Sequence, residues 1–341
     1  MRAVLPCLLI AATSLAAAPR VATADAPKAP TTSDLPVLTA KSGTCGGFEK
    51  LARIKLDAVD KRLVVAAPKG AADIPKSFDV MDAPEPTTQE SRVIVESKTG
   101  GKLVIFAHEL WQTASADLAT RAAGYLHANT KGVKIELGKV DADPALAVFA
   151  ARPSVPDKDP DAILLLSTIV RVKDGSLIGV DYLVNPPGYG DGCQALALDL
   201  AKGMKAGTRD LERTGGKQTL GPIDVDVPAG YVVTKKPGPD FDVWFLRKLA
   251  PLGEYPGYLL VYVGEYADTT SPSGPGTKVS RRGKLAGYDA TFAGHTSPTG
   301  GAISATITLR GRMQLQVVEI ATLRGDYLDE LDTIARSIRT H

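Results

Sequence analysis

The alternation of Ile303, Ala305, Ile307 and Leu309 with Ser304, Thr306, Thr308 and Arg310 narrows the fold more than any other feature. A period of two sends one set of side chains to a buried sheet face and the other to water, which a helix does not do. Arg310-Gly311-Arg312 then turns the chain, and Met313 to Ile320 returns as a partner strand. The same device occurs earlier: Ala162 to Val172 reads as a strand, Lys173-Asp174-Gly175 as a tight turn, and Leu177 to Val184 as the returning strand. Asp-Gly suits such a turn because it tolerates positive φ. Antiparallel sheet is thus predicted in both halves of the chain.

A helical pattern follows each hairpin. The first spans about Asp191 to Lys205, with Leu196, Leu200 and Met204 on one stripe. The second starts near Asp326, with Leu328, Leu331, Ile334, Ala335 and Ile338 facing inward. Asp326 and Asp329 in its first turn, and Arg336 and Arg339 in its last, suit the helix dipole. An additional helix is predicted from Ser115, as cap, to Ala128, with Leu118, Ala122, Tyr125 and Leu126 inward. In the second half the matching region, Asp268 to Lys284, is rich in Gly, Ser, Pro and Thr and reads as a long loop. The two halves also open alike. Leu63 to Ala67 leads into Pro68-Lys69-Gly70, and Ile223 to Val227 into Pro228-Ala229-Gly230; Pro-x-Gly is expected to end a strand and turn the chain. These patterns predict an α+β protein of two tandem domains, each a mainly antiparallel sheet flanked by helices. The expected layout is a signal peptide (1–24), a flexible leader (25–42), a first domain (43–210), a linker with Gly215-Gly216 (211–221) and a second domain (222–341).

Strand-Pro-x-Gly, several antiparallel strands, a long hairpin and a closing amphipathic helix, all occurring twice, resemble the PsbP/Mog-like α/β/α sandwich superfamily. Pro68, Gly70, Pro228, Gly230 and the closing helix carry the resemblance. It implies two tandem copies over nearly all of the chain after the leader. It also implies a mostly non-catalytic role, as in photosystem accessory subunits, a small-GTPase regulator and bacterial envelope proteins. The loop in place of a helix in the second copy departs from that pattern.

Residues 1–24 have the three parts of a secretory signal. Arg2 precedes an apolar stretch built on Leu8, Leu9, Ile10 and Leu15, and Ala22-Thr23-Ala24 offers small residues for cleavage after Ala24. The stretch is about half of the roughly 20 residues needed to span a bilayer, and no other run approaches that length, so no stable membrane insertion is expected. Cys7 precedes most of the stretch and so does not mark a lipoprotein. A periplasmic or secreted location follows. Of 40 Lys and Arg, Arg2 and Arg20 leave with the signal, so 38 remain against 38 acids. A nucleic-acid binder needs a basic excess or stripe, and no nucleic-acid partner is expected. The densest basic cluster, Lys278, Arg281, Arg282 and Lys284, reads as a solvated loop. Cys45 and Cys193 remain after cleavage, and in an oxidising compartment such a pair is normally bonded.

His108-Glu109-Leu110-Trp111-Gln112 stops one residue short of a zinc-protease helix, because Gln112 stands where the second histidine is needed. A zinc site needs three or four ligands, and neither His127 nor His295 is spaced to help, so no metal site is expected. Asp157-Lys158-Asp159-Pro160-Asp161 imitates the start of a calcium loop, but Ala162 and Thr168 stand where Gly and Glu belong. Gly188-Tyr189-Gly190-Asp191-Gly192 lacks the spacing of a nucleotide loop and is better explained as a tight turn delivering Cys193 to its disulfide. There is no Gly-x-Ser-x-Gly, and four histidines supply little acid–base chemistry. No catalytic residue and no cofactor are assigned. Tyr258, Tyr262 and Tyr266 occupy alternate positions of one predicted strand, sharing a face with Leu260, and Trp244 lies on the strand before it. This set is the candidate binding surface, since tyrosine joins an apolar ring to a polar tip; packing beneath a helix is the plainer account.

The expected function is therefore a non-enzymatic, exported binding or assembly module of the cell envelope, whose partner is an envelope protein or a small ligand. One alternative is a small-ligand carrier using the tyrosine face. The other is a carboxylate- or metal-dependent hydrolase near His108 and Glu109.

Overall fold

The computed structural model describes residues 35–73, 90–130, 133–154 and 161–341. The expected signal peptide, residues 25–34 of the leader and Asp157 to Pro160 lie outside these residues. The first half contains β1 (Arg53–Ala58), β2 (Leu63–Pro68), β3 (Ala72–Asp73), β4 (Glu90–Glu96), β5 (Lys102–Thr113), α1 (Leu118–Asn129), β6 (Ile135–Val140), β7 (Ala147–Pro153), β8 (Ile163–Arg171), β9 (Ser176–Val184), α2 (Cys193–Lys202) and β10 (Lys205–Ala206). The second contains β11 (Thr214–Leu220), β12 (Ile223–Pro237), β13 (Phe241–Lys248), β14 (Ala250–Pro251), β15 (Gly257–Gly264), β16 (Thr277–Leu285), β17 (Tyr288–Ser297), β18 (Gly300–Thr308), β19 (Gln314–Thr322), α3 (Tyr327–Arg336) and β20 (Arg339–Thr340).

These strands form three sheets: β1-β2-β10; β3-β4-β5-β9-β8-β7-β6 with β14 beside β5; and β11-β12-β13-β15-β19-β18-β17-β16 with β20 beside β12. The protein is thus largely all-β, with three α-helices among the described residues. This corrects the predicted α+β class with two helix-flanked domains. Two segments account for much of the difference. Thr214–Leu220, expected as linker, pairs with β12, and Thr277–Leu285, expected as loop, pairs with β17. Both are edge strands rich in Gly, Ser, Thr and basic residues, so their apolar signal is weak. Strand pairing there satisfies backbone groups of the neighbouring strand that would otherwise need water.

Other expectations shift more modestly. Pro68-Lys69-Gly70 does end β2, with Gly70 at φ 103°. Pro228-Ala229-Gly230 does not end its strand: β12 runs through it, and an irregularity of register between Thr214 and Gly216 lies opposite. Such a bulge accommodates a residue without an N–H. Residues 35–42, expected as leader, are docked. Val37 bridges to Lys139 of β6, the Leu38 N–H donates to the Lys139 carbonyl at 3.0 Å, and Leu38 is fully buried. Asp117, not Ser115, is the residue before α1, and the Ser115 hydroxyl donates to its carboxylate at 2.6 Å. Arg339 lies past α3 and pairs with Asp226 at 2.8 Å.

One face of the eight-stranded sheet packs on α2 and the three-stranded sheet, through Leu63, Val65, Ile105, Tyr182, Leu196 and Leu200. Helix α1 covers part of the opposite face, with Leu118, Ala122 and Leu126 against Ala151 and Ile169. The sulfurs of Cys45 and Cys193 lie at disulfide distance, with Cα atoms 4.7 Å apart, compatible with the expected bond. The Cys193 N–H closes the turn on the Gly190 carbonyl, and the Gly192 N–H donates across to the Thr44 carbonyl, each at 3.0 Å. Between the halves, the fully buried Arg247 guanidinium stacks on Trp111 at 4.3 Å and on Phe245 at 4.4 Å. Leu252 then reaches the α1 core, and Arg121 pairs with Glu254 at 2.7 Å.

Helix α3 closes one face of the nine-stranded sheet with Leu328, Leu331 and Ile334 on Leu259, Val261 and Val317. The basic cluster lies on β16 rather than in a loop; Lys278, Arg282 and Lys284 are exposed, and Arg281 joins this arrangement. Arg281 of β16 pairs with Asp332 at 2.7 Å and lies 3.5 Å from Glu319, whose side chain is fully buried. Burial first, then the charge of Asp332, pushes the Glu319 carboxyl from an ordinary 4.5 up to about 8, against the pull of Arg281. A raised carboxyl stabilises the fold below its unfolded value and loses that contribution as pH rises through the folded one. Stability should therefore fall between pH 4.5 and 8 at this site. At about 1.4 kcal/mol per pKa unit, Glu319→Gln should remove a loss of roughly 1–4 kcal/mol, seen as a flatter plot of urea midpoint against pH. An unchanged slope would refute the assignment.

Candidate functional site

On the face of the eight-stranded sheet that α1 only partly covers, strands β5, β8 and β9 form the floor of an open cleft of about 360 Å³. This is within the usual range for small-ligand sites, roughly 300–1,000 Å³. Leu110, Leu164, Leu183 and Val133 give it apolar lining, Tyr125 and Asn129 come from α1, and His108, Ser167 and Asp181 make a polar patch on the floor. The strand period places them. In β9, Val180, Tyr182 and Val184 are buried toward α2, so Asp181 and Leu183 face the cleft. Register then aligns Ser167 of β8 opposite Asp181, and Gly179 opposite His108.

The Ser167 hydroxyl donates to Asp181 Oδ1 at 2.6 Å. Burial pushes the Asp181 carboxyl above its ordinary value, while the Ser167 bond and His108 oppose that. Burial pushes the His108 imidazole below its ordinary value, with the Asp181 charge opposing. His108 Nδ1 is buried without a hydrogen-bond partner. The ring stacks on Phe106 at 5.1 Å and lies over Gly179, where an added Cβ would sit 2.5 Å from its Cε1. Glycine at that position is therefore what lets the imidazole lie flat on the floor. Serine, acid and histidine do not form a hydrolytic relay here. In such a relay the imidazole sits between the hydroxyl and the acid and takes the hydroxyl proton; here Ser167 donates directly to Asp181. The arrangement is suited to holding a ligand's polar group.

The sequence pair His108-Glu109 is split by the strand. His108 lines the cleft, while Glu109 points into the opposite core and pairs with Arg62. His127 is exposed on α1, and His295 lies on the nine-stranded sheet. No group of three or more metal-ligating residues gathers among the described residues. Asp181 and Ser167 belong to no motif. The signal that marks Asp181 is an acid inside the otherwise apolar run Leu177 to Val184.

The tyrosine surface is regrouped. Tyr258 and Tyr262 share a face with Leu260, as expected, but their neighbours on β13 are Val243 and Phe245. Trp244 points to the other face, into the α3 core, because adjacent strand residues alternate. Tyr266 lies beyond the end of β15 and is exposed; its N–H donates to the Tyr262 hydroxyl at 3.0 Å. Phe241 stacks with Tyr262 at 5.6 Å, and Tyr258 meets Phe245 edge-on at 5.7 Å, beside Arg247. Helix α3 covers the opposite face of this sheet.

Among the described residues no helix is long and apolar enough to cross a membrane. The chain matches no protein-family model and no curated protein. Among solved structures, the MucA/MucB complex of Pseudomonas aeruginosa aligns at 13% identity over 82% of this chain and 88% of that chain, with a TM-score of 0.16. A likeness that slight carries neither fold nor function.

Proposed function

We propose that this chain is an exported, non-enzymatic binding module of the cell envelope, and that its ligand is a small molecule seated in the β5–β8–β9 cleft. The observation that carries this reading is a polar patch of His108, Ser167 and Asp181 set among apolar lining residues and only partly roofed by α1. Pockets of that composition, with few polar groups converging among apolar side chains, are where small ligands bind. The cysteine pair at disulfide distance suits an oxidising compartment. The cleft, more than the tyrosine face, is favoured because Tyr258 is already engaged with Phe245 and Arg247.

Leu164→Trp fills the cleft from its apolar lining without altering the polar patch. Nile red, a neutral solvatochromic dye, should brighten and shift to the blue with the native protein. It should lose most of that response with Leu164→Trp at an unchanged melting temperature. Equal responses would reject the cleft. Export has a separate check: protein recovered from the periplasm of a Gram-negative host should begin at Asp25 by N-terminal sequencing. Recovery only from the cytoplasm, with Met1 in place, would reject it.

A further inference from the structure

Taking the cleft as the ligand site, we infer that it selects an amphiphile with a primary ammonium head on a short apolar chain. The argument is the polarity of the floor. Burial disfavours the charge on Asp181, and the Ser167 hydroxyl, the single side-chain donor bonded to it, and His108 favour that charge. A cation beside the carboxyl would favour it further, and as a carboxylate the group has capacity for about four hydrogen bonds. No ion pair to Asp181 is formed among the described residues; His108 is the titratable neighbour that acts on it. Burial favours the neutral imidazole of His108, in which one nitrogen accepts and the other donates, and its Nδ1 has no partner. The floor therefore carries more acceptors than donors. An ammonium group has three N–H donors and a positive charge, and it fits this excess; a carboxylate head brings further acceptors and like charge. Charge-assisted bonds of this kind are about twice as strong as neutral ones. Beside the polar groups, Leu110, Leu164, Leu183 and Val133 offer apolar surface to a chain. Tyr125 belongs to the same setting, since the charge of Asp181 adds to the burial that holds its phenol protonated.

The test is calorimetric titration of the full-length mature protein at pH 7.5 with three probes of equal chain length: n-octylamine, 1-octanol and sodium octanoate. Octylamine should bind at least tenfold more tightly than octanol, and octanoate more weakly than either. Asp181→Asn should cost octylamine at least tenfold while leaving octanol within about twofold. Asp181→Asn keeps the acceptor for Ser167, and His108→Leu, which removes the other acceptor without altering charge, should weaken octylamine in the same direction. Octanol or octanoate matching octylamine, or Asp181→Asn leaving octylamine unaffected, would overturn the ammonium inference while leaving the cleft as a binding site. Absence of binding by all three probes, with Leu164→Trp indistinguishable from native protein, would overturn both.

Discussion

Arg62→Ala should lower the free energy of unfolding by about 3–5 kcal/mol, the cost of stripping one partner from a buried ion pair. Arg62 follows a turn in which Val59, Asp60 and Lys61 all have positive φ, and its side chain is 2% exposed. Its guanidinium bonds Glu109 of β5 and the Ser176 hydroxyl at the start of β9, and lies 3.3 Å from Asp174 in the β8–β9 turn. Asp174 in turn accepts the Leu211 N–H at 2.5 Å, and Glu109 accepts the Trp111 N–H at 3.3 Å. One cation thus ties the β1–β2 hairpin, two strands of the large sheet and the segment entering the second half. Burial pushes the Glu109 carboxyl up to about 7 even though Arg62 pulls it down. With Arg62 gone, Glu109 must take up a proton and Asp174 loses its cation, so the loss should grow as pH rises above neutrality. Glu109→Gln, which retains a hydrogen-bonding group, should cost less, about 1–2 kcal/mol. Equilibrium urea unfolding measures both; a loss below 1 kcal/mol for Arg62→Ala would mean that water enters and replaces the cation.

Replacing Cys45 and Cys193 together by serine should cost about 3–5 kcal/mol. The two residues are 148 apart in sequence, and the chain-entropy model assigns loops of that length a large restriction of the unfolded state. The native structure gives the bond little else to do. Cys45 and Cys193 are both fully buried, and the Gly192 N–H, donating to the Thr44 carbonyl, already ties the two segments together. The double serine variant should therefore unfold at lower urea concentration yet keep its near-ultraviolet dichroism at zero denaturant. The native protein in dithiothreitol should match it. Identical midpoints with and without reductant would show that the thiols are not joined.

Much of the local structure was legible from residue order. Ile303 to Thr308 is strand because its apolar residues recur every second position, Ile163 to Val170 because it is a short, largely apolar run, and Gly175 turns the hairpin at φ 81°. Leu328, Leu331 and Ile334 face the core because their spacing leaves a helix no other way to bury them. The fold class is not legible where edge strands such as Thr214–Leu220 and Thr277–Leu285 carry little apolar signal and exist because a neighbour needs pairing. Trp244 does lie on the strand beside Tyr258, but alternation sends it to the other face.

By itself, then, the order of residues determined the strands with a strong apolar signal, the Gly175 turn and the three helices, and which cysteines are available to meet. These follow from φ preferences and from the period of apolar side chains, both local properties. Only tertiary structure decided the sites. Ser167, Asp181 and His108 come from three strands, and Arg62 meets Glu109 across 47 positions. A one-residue slip of β9 would turn Asp181 into the core and expose Tyr182, so pairing register, fixed by the whole buried face, is what places them.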